Sequence, residues 1–218
     1  TYSIKQAADV RAEISSDDLM QPQVKVCYNN SKRVFRLKLP GYASVQNAVA
    51  AIACSLAMGM KFKNVVDALE DFTMNASEIG YGRMVVHDVD GVKIINDCYN
   101  ANPESTEAAL ELLKGLKTPG MKIAVLGDML ELGDYTESEH YNILKKALVI
   151  SDLIIVVGEN MHNAANLLDE KGARIIFAES NSEVSDILIE VIGNGDIVLI
   201  KGSRGMKLEE VVNKVASS

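Results

Sequence analysis

The chain has 218 residues, of which 48% are apolar and 24% are charged, as expected for a globular protein with a substantial core. This composition excludes a disordered tail, a collagen-like repeat and a small disulfide scaffold, and the length predicts one or two domains. A formal net charge of −8 argues against broad nucleic-acid contact, but a locally positive site could still bind a phosphorylated small molecule.

The cysteines and the start of the chain bear on where the protein works. Cys27, Cys54 and Cys98 are odd in number and have no C-x-x-C spacing, which predicts reduced core thiols in a cytoplasmic protein. We find no apolar run long enough to span a membrane and no signal peptide. Because the first residue is Thr1 rather than methionine, we expect a chain that was cut from something longer or processed.

The first part of the chain, residues 1–80, begins with alternating apolar residues that predict a β-hairpin around Asn29. Two helices are predicted after it. The first runs from Val45 to about 58 with Ser44 as its N-cap, and the second covers 64–72.

From residue 81 onward the pattern alternates between strand and helix. The five predicted strands are short and apolar on both faces, as in a parallel sheet, and cover 92–95, 123–126, 153–157, 174–177 and 197–200. The predicted helices cover 103–116, 137–150, 160–170, 182–192 and 205–216. Three helix starts carry capping signals: Asn102 with Pro103, Thr136 with Glu139, and Ser180 with Glu183. The expected fold is therefore an α/β, doubly wound, mostly parallel sheet.

Ligands of such sheets gather at the carboxyl ends of the strands. Two glycine-rich segments, 115–122 and 80–83, fail the phosphate-loop and dinucleotide patterns. Phosphate chemistry would therefore have to rely on single side chains. Arg83 could clamp a terminal phosphate or be an exposed linker residue. Asp97 could accept ribose hydroxyls or form a turn, and Asn100 could be a ligand or an Asx-turn residue.

The two later strand ends offer groups for an amino-bearing substrate. Asp128, in a turn with two apolar residues, could hold an ammonium group or simply cap the strand end. Lys201, Ser203 and Arg204 present two cations and a hydroxyl that suit a carboxylate or phosphate. Each reading alone is no better than its structural alternative, but their placement on one edge of one sheet favours a binding site.

The three histidines, His87, His140 and His162, show no metal-ligand spacing and no nucleophile pattern. We interpret them as structural or exposed, and predict no metal site.

Four strings resemble the Mur ligase family: GRM at 82–84, INDCYNANP at 95–103, IAVLGDMLELG at 123–133 and KGSRGM at 201–206. YNANP and GDMLELG are most similar to the branch that joins D-alanyl-D-alanine to UDP-MurNAc-tripeptide in peptidoglycan synthesis. By this resemblance, 1–80 would be the tail of the central P-loop ATPase domain (a hairpin plus helices) and 81–218 the C-terminal Rossmann-like domain.

The resemblance implies an ATP-dependent ligase that works through an acyl phosphate. Arg83 would be catalytic and contact ATP, with Asn47, Asp97 and Asn100 also binding the nucleotide. Mg²⁺ would be held mainly by an upstream segment that also carries the phosphate loop. A cytoplasmic monomer is expected, and the 218 residues alone are expected to be inactive.

The resemblance also implies which residues bind the amino substrate. Asp128 and Ser203 would bind the incoming dipeptide, with Lys201 and Arg204 assisting.

One motif departs from the family. Where the family usually reads G-x-H-N, the chain has Ala43 and Ser44 in place of His and Asn. Neither side chain reproduces the original hydrogen bonds. This departure favours a second hypothesis, a non-catalytic binding or interaction module derived from a Mur ligase.

Overall fold

The computed structural model describes residues 1–16, 18–73, 82–168 and 174–217. The chain divides into two compact units, Thr1–Asn75 and Ala76–Ser218. Within the described residues, no helix is long and apolar enough to cross a bilayer.

The first unit is a four-stranded sheet with two helices. Its elements are β1 (Tyr2–Ser3), β2 (Val10–Ile14), β3 (Gln23–Tyr28), β4 (Ser31–Arg36), α1 (Gly41–Ala57) and α2 (Phe62–Asp71). The predicted hairpin is β3 and β4, which pair antiparallel. The strands β1 and β2 were not predicted, because one has two residues and the other is interrupted by charged residues. Val24, Val26 and Phe35 form the core together with Val49 and Ile52 of α1.

The predicted start of α1 is wrong. The helix begins at Gly41, whose φ is +85°, and not at Val45. Ser44 therefore lies inside the first turn, where its hydroxyl donates to the carbonyl of Pro40 at 2.6 Å instead of capping the helix.

The second unit contains a six-stranded sheet. Its strands are β5 (Val85–Val89), β6 (Val92–Asp97), β7 (Lys122–Gly127), β8 (Leu153–Val157), β9 (Ile175–Ala178) and β10 (Ile197–Lys201). Their order is β5-β6-β10-β7-β8-β9, with β5 antiparallel and the others parallel. The doubly wound, mostly parallel sheet is confirmed. The antiparallel edge strand β5, where His87 lies, completes it.

Helices cover both faces of this sheet. They are α3 (Pro103–Gly115), α4 (Thr136–Ile150), α5 (Glu159–Asn166), α6 (Asn181–Val191) and α7 (Glu209–Val215). Val125, Ile155 and Val198 on one face pack with α6 and α7. Residues of the opposite face, such as Leu126 and Val156, are equally buried. Since alternate strand residues point to opposite faces, both faces are covered.

Two of the three capping predictions hold at least in part. Asn102 and Ser105 form a reciprocal capping box at α3. Ser180 accepts from the Glu183 amide at α6, although the Glu183 carboxylate bonds Glu179 N–H. The box at Thr136 is wrong, because a 3-10 turn at Gly133–Tyr135 leads directly into α4 and leaves it no side-chain cap.

The three cysteines are free, but they are not all in the core. Cys98 is buried and burial raises the pKa of its thiol, whereas Cys27 is half-buried and Cys54 is exposed. The expectation of a core thiol therefore holds for Cys98 and is wrong for Cys54.

Candidate functional site

The register of the parallel sheet brings the polar strand ends of the second unit together. Lys201, the last residue of β10, lies beside Asp97 on one side and Leu126 on the other. Gly127, the last residue of β7, pairs in turn with Val157 of β8. The loops that follow β6, β10, β7 and β8 therefore lie side by side along one edge, here called the carboxyl edge.

A buried ion pair lies at the centre of the carboxyl edge. Lys201 Nζ is 2.5 Å from Asp97 Oδ2 and donates a second bond, of 3.0 Å, to the carbonyl of Asn100. The Lys201 side chain is 1% exposed and that of Asp97 is 11% exposed. Burial raises the pKa of Asp97, and the contacts with Lys201 oppose that rise. The pair therefore joins two adjacent strands and holds the loop after β6.

The Gly82–Met84 loop is fixed against the end of β6 by its backbone. Tyr99 N–H donates to the carbonyl of Gly82 at 2.9 Å, and Met84 N–H donates to Asp97 Oδ1 at 3.2 Å. Met84 has a φ of +54°, which is uncommon outside glycine and asparagine. Arg83, between these two anchors, is exposed and its Cζ lies 4.2 Å from the centre of the Tyr99 ring.

Tyr99 lies between the two loops that carry Arg83 and Arg204 and is not among the site residues that the sequence predicts. It is half-buried, and the guanidinium of Arg204 also lies over its ring at 5.2 Å. The available signal was an aromatic residue two positions after the end of β6. Asn100 is exposed, and its Oδ1 accepts from the N–H of the next residue, Ala101, at 2.9 Å. An Asx turn uses the N–H two residues on, so this bond does not form one.

Gly82 is required for this loop to sit against β6. A Cβ built on Gly82 would lie 1.7 Å from Oδ1 of the buried Asn96. We expect Gly82→Ala to destabilise the chain by roughly 1–3 kcal/mol, since overpacking forces neighbouring groups apart. Urea unfolding measures this. The matched control is Gly193→Ala, where a Cβ meets nothing within 4 Å. Equal unfolding free energies for the two variants would contradict this packing.

Ser203 is buried and connects three loops. Its Oγ accepts from Leu130 N–H at 2.9 Å and donates to the carbonyl of Ala101 at 3.3 Å. Its backbone N–H donates to the carbonyl of Asp128 at 3.0 Å. The hydroxyl therefore already has a donor and an acceptor within the protein, and it fixes the loop after β7 against the loop after β10.

The Asp128 carboxylate caps α5. Its oxygens accept from the backbone N–H groups of Asn160 and Met161, at 3.2 and 2.9 Å, and from Asn160 Nδ2 at 3.0 Å. Gly158, with φ of +107°, allows this approach, because a Cβ there would lie 2.5 Å from Asp128 Oδ1. The carboxylate therefore has a structural role, but the group that it caps is the N-terminus of α5 and not the strand end that the alternative interpretation predicts. Leu130, two residues on, is exposed at the same edge.

His140 of α4 supports the loop after β7 from below. Its Nε2 accepts from Met129 N–H at 2.9 Å, and its Nδ1 lies 2.6 Å from the carbonyl of Thr136. Together these bonds require a neutral ring with the proton on Nδ1. His140 is fully buried, so the structural interpretation of this histidine agrees with its surroundings.

We expect His140→Leu to cost about 2–3 kcal/mol of unfolding free energy, because Met129 N–H would be left buried without an acceptor. Thermal or urea unfolding measures this. His162→Leu is the control. His162 is only partly buried, and its ring contacts the carbonyls of Val156 and Ala178. A smaller loss for His140→Leu than for His162→Leu would contradict the role given to His140.

A groove of about 530 Å³ opens beside Asp128 between α4 and α5. Its lining is mostly amide and hydroxyl side chains: Thr136, Glu137, Asn160, Asn163, Asn166 and Leu167. Asn160 connects it to the carboxyl edge, because its amide bonds the Asp128 carboxylate.

Seven of the eight predicted site residues fall into two groups, and Asn47 lies apart from both in sequence. Arg83, Asn100 and Arg204 are exposed at the carboxyl edge. Four others lie beneath them, buried and bonded to neighbouring loops: Asp97, Asp128, Lys201 and Ser203. Asn47 is exposed on α1, in the first unit. The ligand contacts assigned to all of these residues remain predictions. Among the described residues, no three His, Cys, Asp or Glu side chains are grouped to hold a metal.

A mostly parallel sheet with polar loops along its carboxyl edge agrees with the C-terminal Rossmann-like domain that the Mur ligase resemblance implies. The family model described as "Mur ligase, glutamate ligase domain" matches residues 82–204. The chain belongs to the Mur ligase family.

Individual relatives show which members of the family the chain is similar to. The chain is 34% identical over 194 residues to UDP-N-acetylmuramoyl-tripeptide--D-alanyl-D-alanine ligase of Bacillus subtilis (strain 168), covering 86% of this chain and 41% of that protein. It is also similar to a crystal structure of MurF from Acinetobacter baumannii, with a TM-score of 0.81 and 27% identity. The similarity covers 100% of this chain and 47% of that one. The chain thus spans less than half the length of these relatives.

The fold is also that of a structure of MurF ligase from Thermotoga maritima in complex with ADP. The TM-score is 0.81 at 23% identity, and the similarity covers 98% of this chain and 47% of that one.

Proposed function

We propose that this chain is part of an ATP-dependent ligase that adds D-alanyl-D-alanine to UDP-MurNAc-tripeptide in cytoplasmic peptidoglycan synthesis. In the proposed reaction a carboxylate oxygen of the tripeptide attacks the γ-phosphorus of ATP, and ADP leaves. The amine of the dipeptide then attacks the acyl phosphate, and phosphate leaves. This chain would supply nucleotide and dipeptide contacts.

The observation that carries the proposal is the pair of exposed guanidinium groups over Tyr99. Arg83 and Arg204 come from different loops and lie 4.2 and 5.2 Å from one ring centre. Arginine forks match phosphate oxygens, and Asp97 beneath them is already neutralised by Lys201. A polyphosphate is therefore the ligand class that the exposed charge of this edge favours.

The two parts of the chain would then belong to different domains of the ligase. We propose residues 1–80 as the C-terminal part of the central ATPase domain, with Asn47 near the nucleotide, and 81–218 as the C-terminal domain. The described residues offer no metal cluster, so the proposal assigns them no Mg²⁺ ligand. Orienting two substrates and excluding water from the acyl phosphate would be the task of the assembled site.

The test is ADP release by the complete product of the encoding gene, with UDP-MurNAc-tripeptide and D-alanyl-D-alanine as substrates. We expect release to require both substrates, and none from the 218 residues alone. ADP release that does not depend on the dipeptide would contradict the proposal.

A second function, a non-catalytic binding or interaction module, is favoured by the internal bonding of Asp128 and Ser203. Calorimetric titration of the chain with ATP and with D-alanyl-D-alanine separates the two. A scaffold that has lost the ligase chemistry should bind neither.

A further inference from the structure

We propose that the four-stranded sheet of the first unit carries a binding site for a small phosphorylated molecule, on the face that points away from α1. The site is a hollow of about 320 Å³ over β2, β3 and β4. Three cations, a carboxylate, an amide and a thiol line it: Arg11, Lys25, Lys32, Asp9, Asn29 and Cys27. None of them is among the predicted site residues, and the inference does not rest on the proposed ligase function.

The strand register creates the hollow. Val10 and Val26 belong to the core of the unit, so Arg11 and Cys27, which follow them, project from the opposite face. Arg11 lies directly opposite Cys27, and Cys27 lies opposite Lys32 on β4. These three side chains therefore form one row, in which the short Cys27 separates two long cations. The Cβ atoms of Arg11 and Lys32 are then about 10 Å apart, a span that two long side chains can close around a phosphate group.

Positive charge is in excess on this face. Arg11 and Lys25 share one carboxylate, that of Glu13, which contacts Arg11 and lies 3.4 Å from Lys25 Nζ. Lys32 is exposed and forms no ion pair with any residue that the structure describes. The Asp9 carboxylate is bonded to the terminal amino group of the chain at 2.6 Å. On a chain with a net charge of −8, this face thus retains a cation available to an anionic ligand.

The size and the donors of the hollow select the ligand class. A volume of about 320 Å³ lies at the lower end of the range for small-molecule sites. Guanidinium and ammonium groups form charge-assisted hydrogen bonds with phosphate oxygens, and Asn29, in the turn between β3 and β4, adds an amide donor at the rim. Of the described residues that line the hollow, none is aromatic, so a nucleic-acid base has no ring to stack on.

Cys27 lies within the hollow and can report whether it is occupied. Its alkylation by iodoacetamide, an uncharged reagent, should slow as inorganic phosphate is added at constant ionic strength, and the effect should saturate. Cys54 on α1 is exposed and serves as the internal standard, since its alkylation should not change. Peptide mass spectrometry of the 218-residue chain measures both rates.

Three variants test the assignment in opposite directions. Lys32→Ala should raise the phosphate concentration for half-protection of the thiol at least about tenfold, because one charge-assisted contact is lost. Lys38→Ala removes another exposed lysine, about 20 Å further along the chain, and should change that concentration by less than about twofold. Glu13→Gln frees Arg11 and Lys25 from their shared carboxylate and should lower it about two- to fivefold.

Four results would overturn the inference: unchanged alkylation of Cys27 in phosphate, equal slowing at Cys54, the same response for Lys32→Ala and Lys38→Ala, or weaker protection in Glu13→Gln. Vesicles of phosphatidylglycerol, added at the same total phosphate, separate a lipid headgroup from a free molecule. Protection by the vesicles alone would contradict the proposal, since the partner would then be a membrane surface. The outcome of the ligase assay does not bear on any of these results.

Discussion

If the complete product of the encoding gene is the proposed ligase, replacing Arg83 with alanine in it is expected to lower kcat/KM for ATP by about 10²- to 10³-fold, the usual cost of removing a group that stabilises developing charge. Arg83 is exposed and its loop is held by the backbone bonds of Gly82 and Met84, so the unfolding free energy should change little. Steady-state kinetics of ADP release, with thermal unfolding alongside, measure both quantities.

Two variants control this prediction. Arg83→Lys keeps the charge but not the planar fork, and should recover only a small part of the activity. Arg174→Ala removes an exposed arginine whose partner is Asp152, at 3.6 Å, and should leave kcat/KM unchanged. Full activity of Arg83→Ala would remove Arg83 from the proposed site.

Replacing Lys201 with methionine is expected to lower the unfolding free energy by about 3–5 kcal/mol near neutral pH, because it leaves the Asp97 carboxylate buried without its cation. Asp97→Asn combined with Lys201→Met should recover much of this loss, since no charge then remains. Lys93→Met is the control: Lys93 pairs with Asp88 at 3.3 Å on the surface, where such pairs contribute about 0–1 kcal/mol.

The loss in Lys201→Met should depend on pH in a defined direction. Burial already raises the pKa of Asp97 in the folded chain, and removal of Lys201 takes away the largest opposing contribution. The neutral form of Asp97 is then favoured in the folded state. Stability is retained below the ordinary aspartate pKa and is lost as pH rises through the raised one.

Urea unfolding between about pH 5 and 8 should therefore show the gap between Lys201→Met and the unsubstituted chain widening as pH rises. A gap that narrows toward pH 8, or a loss no larger than that of Lys93→Met, would contradict the buried-pair account.

The sheet and its polar edge could be predicted because both follow from local patterns. Short apolar runs alternating with helical segments define parallel strands, and parallel register brings the residues after Ile95, Leu126 and Ile200 to one edge. The edge strand β5 was harder to predict, because its residues alternate between half-buried and exposed. A two-residue strand such as β1 has no periodicity to detect.

The roles of single side chains could not be predicted in the same way. The sequence around a carboxylate that follows a strand does not distinguish one that faces a ligand from one that caps a helix. Asp128 caps α5 because Gly158, thirty positions along the chain, leaves room for it. Likewise, the sequence around Lys201 does not distinguish it from an exposed lysine. Only the strand register, which places Lys201 beside Asp97, brings the two side chains together as a buried ion pair. Tyr99 was missed because its two arginine partners come from distant loops.

The central claim is that the carboxyl edge of the six-stranded sheet is the nucleotide-binding surface of this chain. Backbone amide mapping by NMR, with ATP and Mg²⁺ titrated into the 218-residue chain, tests it most directly. We expect the largest shifts at 82–84, 97–101 and 201–204. Shifts confined to the opposite end of the sheet, around Gly120 and Asp196, would contradict it.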